Sequence, residues 1–132
     1  MFTPINLRIP LLAVPKARAR ITRSGHAYTP AKTKHFEAAL RTYWNMSGHR
    51  MIPKAATAVT IVCFLPKPKA KKYALMPIAK PDIDNFAKGI LDALNGCAWE
   101  DDNQITDLNI AKRYSQHGQA CIVIKIEPVV EA

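Results

Sequence analysis

Between residues 80 and 107 the chain reads KPDIDNFAKGILDALNGCAWEDDNQITD. Asp82, Asp84, Asp92, Asp101, Asp102 and Asp107 crowd into this span, with Lys88 among them. Carboxylate oxygens are hard donors suited to a hard divalent cation such as Mg2+. A cation held this way activates water and relieves charge on a phosphate, so phosphodiester hydrolysis is the chemistry this set can do. Asp82 and Asp84 stand two apart across Ile83. On an extended approach both carboxylates point one way and Ile83 points into the core. Two ionised carboxylates so placed repel each other unless a cation or a proton lies between them. Lys88 follows Asp84 by four residues, about one helical turn along nearly the same side. There it either meets the scissile phosphate or the leaving oxygen, or pairs with Asp84, and the two roles are compatible.

The acidic span must be positioned by a helix. Phe86, Ile90, Leu91 and Leu94 recur at helical spacing, and Asp84 suits the N-cap that precedes them. Asn95 and Gly96 stop the helix, with Gly96 free to take a left-handed cap. Asp101 and Asp102 then lie on a loop, with Asp102 eighteen residues beyond Asp84. Folding must bring the two ends of the motif together for Asp82, Asp84 and Asp102 to share an ion. Asp101, Asp92 and Asp107 are candidates of second rank. Asp92 also fits a plain surface position on the helix, and Asp107 a supporting carboxylate near the metal.

The remaining elements follow from periodicity. Ile5, Leu7 and Ile9 alternate with polar residues or Pro10 as a first strand with one buried face. Thr29 and Pro30 open a helix as N-cap and first-turn residue, and Phe36, Leu40, Tyr43 and Trp44 mark its apolar side up to Gly48. Residues 57–65, TAVTIVCFL, form a β-branched run fit for a central strand. Residues 105–114 alternate, with Leu108 and Ile110 on one face. Residues 115–118 supply a turn, and residues 120–126 are strongly apolar. The last two runs predict a β-hairpin with a four-residue connection. The expected fold is α/β (α+β): a single domain over residues 1–132, in the order β-α-β-α-β-β, with a mixed sheet, helices on one face and two basic loops.

Charge is divided unevenly. The 132 residues carry a net +9. Residues 1–80 hold 15 Lys/Arg against one acidic residue, whereas residues 81–132 hold 4 Lys/Arg against 9 Asp/Glu. A cationic chain with an acidic knot is expected where a metal ion must be held against a polyanion, most simply nucleic acid. Residues 14–30 carry Lys16, Arg18, Arg20 and Arg23 on what reads as a loop or arm lying on a DNA backbone. Tyr28 and His26 could stack on a base, although two rings do not make a platform. Lys32 lies on the helix that follows. Residues 66–72, PKPKAKK, form a stiff cationic connector with Lys67, Lys69, Lys71 and Lys72, and Lys80 stands just before the acidic motif.

The motif resembles a known family. Asp82-Ile83-Asp84-Asn85-Phe86 with Lys88, then Leu91-Asp92-Ala93-Leu94, then Trp99 with Asp101, Asp102, Gln104 and Ile105, is similar to the signature of RusA-type Holliday junction resolvases. Pro15, Lys16, Arg18, Arg20, Tyr28, Thr29, Pro30, Lys32 and Thr33 extend the likeness over most of the chain. The resemblance implies a small dimeric, magnesium-dependent endonuclease of phage or prophage origin. It assigns Asp82, Asp84 and Asp102 to the metal and Lys88 to cleavage, with Mn2+ expected to replace Mg2+. Pro81 stands where some members carry an arginine.

Other chemistries find little support. Cys63, Cys97 and Cys121 are odd in number and widely spaced, against a zinc site or a disulfide framework. Cys63 and Cys121 lie in apolar runs as core thiols, and a reducing cytoplasm fits. Residues 9–15 are too short and proline-broken for a signal peptide, and no run approaches the ~20 apolar residues that span a bilayer. No Gly-rich phosphate loop or GxSxG appears, and no organic cofactor is implied. Asp101, Asp102 and Asn103 lack the glycine of a calcium loop. His26, His35, His49 and His117 are scattered, with His117 in a turn. The resulting expectation is a homodimeric enzyme that cuts four-way DNA junctions by paired nicks in recombination and repair. A nuclease for flaps or forks, and a non-catalytic DNA-binding protein, are the alternatives.

Overall fold

In the computed structural model, which describes residues 2–71 and 75–130, the central strand is β4 (Thr57–Leu65). Its apolar, β-branched sequence is what a strand with two neighbours requires. The sheet runs β1 (Ile5–Ile9), β6 (Cys121–Pro128), β4, β5 (Ile105–Tyr114). β4 pairs parallel with β5 and antiparallel with β6, making the sheet mixed.

The expected hairpin of the last two strands does not form. β4 lies between them, pairing with both. The connection over residues 115–120 crosses the end of β4. Six residues reach about 20 Å when extended, ample to pass one intervening strand. A short linker between two alternating runs looks the same from sequence whether or not a third strand slips between them.

Pairing divides the sheet into two faces. Leu7, Ile124, Ile61 and Ile110 lie in one row, and Ile9, Ile122, Cys63 and Lys112 in the next. Both rows face the core, where Ile61, Ile122 and Ile124 pack with Phe36, Leu40 and Trp44 of α1 (Ala31–Met46) and with Phe86, Ile90 and Leu94 of α2 (Ile83–Leu94). Cys63 is buried there, and desolvation pushes its thiol up to about 12. The opposite face carries Arg8, Val123, Val62 and Ala111 in one row, and Cys121, Phe64 and Arg113 in another.

α1 buries the positions its periodicity marks, Phe36, Leu40 and Trp44, but starts one residue later than expected: Pro30 takes the cap position and makes no side-chain bond. The basic stretch before it is more ordered than a loop. β2 (Arg20–Ile21) and β3 (Ala27–Tyr28) form a small antiparallel ribbon. Gly25, at φ 87°, supplies the left-handed residue its turn needs. Among the described residues no helix is long and apolar enough to cross a membrane.

Candidate active site

The first half of the site stands where α2 begins. Asp82 is extended, and its carbonyl accepts from Asn85 N at 3.2 Å and Phe86 N at 3.3 Å. The helix therefore starts at Ile83, with Asp82 in the cap position and Asp84 in the first turn. The expected cap role of Asp84 is corrected accordingly. The two carboxylates stand at the cap and the second position of the first turn instead of alternating along a strand, so Ile83, expected in the core, is exposed, and both residues lie at the positive end of the helix dipole. Both residues are exposed. Among the described residues neither side chain accepts a hydrogen bond or joins an ion pair. The backbone before Asp82 is held by Lys112, whose Nζ donates to Ala79 O at 2.7 Å and to Pro81 O at 2.9 Å. Lys88 is exposed one turn on and, among the described residues, pairs with neither Asp84 nor any other carboxylate.

The second half stands where α2 ends. Asn95 closes the helix and Gly96 turns at φ 72°. Asp101 caps a short turn over Asp102–Gln104: its side chain accepts from Asn103 N at 3.1 Å, and Gln104 Oε1 accepts from Asp101 N at 3.2 Å. Gln104 is buried and donates onward to Pro53 O at 2.9 Å and Thr57 Oγ1 at 3.2 Å, tying the turn to β4. Asp102 is the fixed member. Its N–H donates to Asn95 Oδ1 at 3.0 Å, and its Oδ1 accepts from Trp99 Nε1 at 2.6 Å. Burial raises the Asp102 carboxyl above the ordinary carboxylate range. The Trp99 bond opposes that shift, and the charges of Asp92 and Asp101 add to it.

Asn95 lies eleven positions after Asp84, which at the α-helical rise is about 16 Å. Asp102 is bonded to Asn95, so the three carboxylates occupy opposite ends of one helix, and the expected convergence of Asp82, Asp84 and Asp102 does not occur within one chain. Among the described residues no three His, Cys, Asp or Glu side chains lie close enough together to hold a metal ion. Asp82 and Asp84 by themselves fit one side of a hard-cation site: two oxygen donors, exposed, with room for other ligands.

The other candidates are dispersed. Asp92 pairs with Lys16 at 3.3 Å, and Lys16 also binds Glu37 at 2.8 Å. The Glu37 bond, with help from Asp92, raises the Lys16 ammonium above its ordinary value. This lysine ties α1 to α2. Its backbone N–H donates to Asn85 O at 3.0 Å. Gly89 permits the approach, since a Cβ there would stand 2.8 Å from Val14 O and 3.3 Å from Lys16 N. Exposed Arg18 and the ribbon with exposed Arg20 and Arg23 are thus rooted beside Asp84. Asp107 is exposed on edge strand β5 and accepts from Thr106 Oγ1 at 2.7 Å. Lys32, Lys69 and Lys80 are exposed, and Lys67 lies 5.7 Å over the Tyr114 ring. The Lys71 side chain and Lys72 fall outside the described residues.

Asn95 reads from the sequence only as a helix stop and Trp99 and Gln104 only as parts of the motif, and Lys112 is not marked there at all; in the structure all four position the site. Lys112 nonetheless leaves a signal in the sequence: it shares the parity of Leu108 and Ile110, so a cation stands where the strand pattern calls for an apolar residue.

Residues 10–127 match the family model Endodeoxyribonuclease RusA. The chain belongs to this family. YqaN of Bacillus subtilis (strain 168), an uncharacterized protein, is 31% identical over 111 residues, covering 76% of this chain and 78% of that protein. The RusA match takes in both ends of α2, the β2–β3 ribbon and both basic stretches. Membership identifies an endodeoxyribonuclease, in a family that acts on branched DNA and depends in general on a divalent metal.

Proposed function

We propose that this RusA-family chain is a Mg2+-dependent endonuclease, with Mn2+ able to substitute, that resolves four-way DNA junctions by paired nicks as a homodimer. The observation that carries the reading is the pair of exposed carboxylates at the start of α2, unpartnered among the described residues and flanked by the arginine ribbon. Asp82 and Asp84 would hold the ion, and Lys88 would meet the phosphate or the leaving oxygen. Lys112 holds the backbone that presents Asp82. When bound, a divalent cation supplies an activated water and charge relief at the phosphate.

The roughly 16 Å of α2 between Asp84 and Asn95, to which Asp102 is bonded, supports a shared site. In a two-fold dimer with the helices antiparallel, Asp102 of the partner subunit can complete the Asp82–Asp84 pair, and the same contact repeats by symmetry. Paired sites in one dimer are also what paired nicks require.

The test is cleavage of a synthetic four-way junction, with flap and fork substrates alongside, in Mg2+ and in chelator. Asp82→Asn is expected to lose about 1,000-fold in cleavage, or roughly 4 kcal/mol of transition-state stabilisation, while retaining binding. Normal cutting by this variant would overturn the assignment. Mixing Asp82→Asn with Asp102→Asn tests the shared site. A composite site leaves one intact centre in each heterodimer and restores nicking, whereas sites confined to one chain stay dead.

A further inference from the structure

We infer that the open face of the sheet carries a second DNA-binding site, a cleft at the carboxyl end of β4 and β5 that takes one strand by its phosphates. The inference rests on the nuclease reading for its ligand, but on different residues. The cleft has a volume of about 730 Å³ and is lined by Arg8, Lys67, Arg113 and His117, with Phe64 and Leu75. No carboxylate is among its described lining residues. The acidic residues of this face, Glu127 and Asp107, flank Ala58 near the opposite end of β4. Lys125 on the same face pairs with Glu127 at 3.8 Å, so that end carries mixed charge, whereas the cleft end carries only cations among its described lining residues.

The geometry suits a strand better than a single anion. Arg8 on β1 and Arg113 on β5 belong to the two edge strands, three strand spacings or about 14 Å apart. With their backbones that far apart, the two arginines suit phosphates at separate positions along one strand. Phe64 lies between them on the floor, in the Arg113 row, and offers an apolar surface for a base or sugar. Lys67 is held against the Tyr114 ring at the rim.

The cleft is also joined to the candidate active site. Lys112 and Arg113 are consecutive on β5 and project to opposite faces. Lys112 holds Ala79 O and Pro81 O ahead of Asp82, while Arg113 lines the cleft. A strand leaving the start of α2 can pass over the end of β5 into the cleft. The site would take the continuation of a cleaved strand, or a neighbouring arm of the same branched substrate.

The experiment is an NMR titration of the metal-free protein with a short oligothymidylate strand, followed by four-way-junction binding over a range of salt. The strand is expected to shift the amides of residues 8, 67 and 113–117, and Arg8→Gln/Arg113→Gln to abolish those shifts. Junction affinity of the double variant should fall about 10-fold, with the salt slope reduced by about 1.4, the value for two single-strand phosphate contacts. Lys34→Gln/Arg50→Gln removes the same charge elsewhere and controls for net charge. Shifts confined to the ribbon and the start of α2, or equal losses in both double variants, overturn the cleft. A junction left uncut in Mg2+ while the cleft amides still shift rejects the nuclease reading alone. A junction that is cut while those amides stay fixed rejects the cleft alone.

Discussion

The two ends of α2 present carboxylates in opposite conditions. At its start Asp82 and Asp84 are exposed and without partners among the described residues. At its end Asp102 is half-buried and fixed by Trp99 Nε1 and by Asn95. Free carboxylates two positions apart stay in solvent because water screens their repulsion. A carboxylate held in one rotamer against a fully buried indole is pre-oriented for a ligand that approaches from outside. One end can thus capture an ion, while the other presents an aligned oxygen. Neither alone has the ligand count a hard cation wants.

Removing the alignment at the Asp102 end is the largest test of this contrast. Trp99→Phe keeps a buried ring but deletes the donor to Asp102. Loss of an orienting partner of this kind costs about 10- to 100-fold in metal affinity or activity. The Mg2+ concentration for half-maximal cleavage should rise, an effect that lost stability alone would not produce. Unchanged Mg2+ dependence would detach Asp102 from the metal.

The root of the ribbon comes next. Gly89→Ala places a Cβ 2.8 Å from Val14 O, a backbone atom that cannot swing aside. Overpacking of this kind costs about 2 kcal/mol, readable in denaturant unfolding. Because residues 14–16 carry the arginine ribbon, junction affinity should weaken as well. A variant as stable as the parent would mean that α2 and this segment separate freely.

The smallest effect concerns pH. The Asp102 carboxyl titrates above its unfolded value, mainly through burial. Its favourable contribution is complete below the ordinary carboxylate range, about pH 4, and is lost as pH rises through the folded value. Asp102→Asn keeps an acceptor for Trp99 and removes the charge. Metal-free Asp102→Asn should therefore melt at a slightly higher temperature than the parent at neutral pH, and the gain should vanish in acid. A gain of equal size at both pH values would point to packing instead of charge.

Local features were legible in the sequence wherever a short-range rule governs them. The apolar faces of α1 and α2, the stop at Asn95 and Gly96, the central place of residues 57–65 and the buried Cys63 and Cys121 all follow from spacing and burial. The ribbon at residues 20–28 was not legible, since two residue pairs give no periodicity. The start of α2 was misplaced because Asp82 and Asp84 are equally good caps by residue type, and the choice falls to the Asp82 carbonyl. Gly89 in a helix reads as a weak residue; only the 14–16 segment lying against it explains why no side chain fits.

By itself the sequence determined the donors and their order: hard oxygens near an amphipathic helix, in a chain whose positive charge lies mostly ahead of them. Those are properties of residue type and of spacing within a turn or two. Only the tertiary structure decided where each donor stands in space. The insertion of β4 between β5 and β6 and the run of α2 from Asp82 to Asn95 depend on contacts between residues far apart in the chain. Hydrophobic burial selects those contacts collectively, so no local pattern records that Asp102 lies a helix-length from the pair with which it shares a motif.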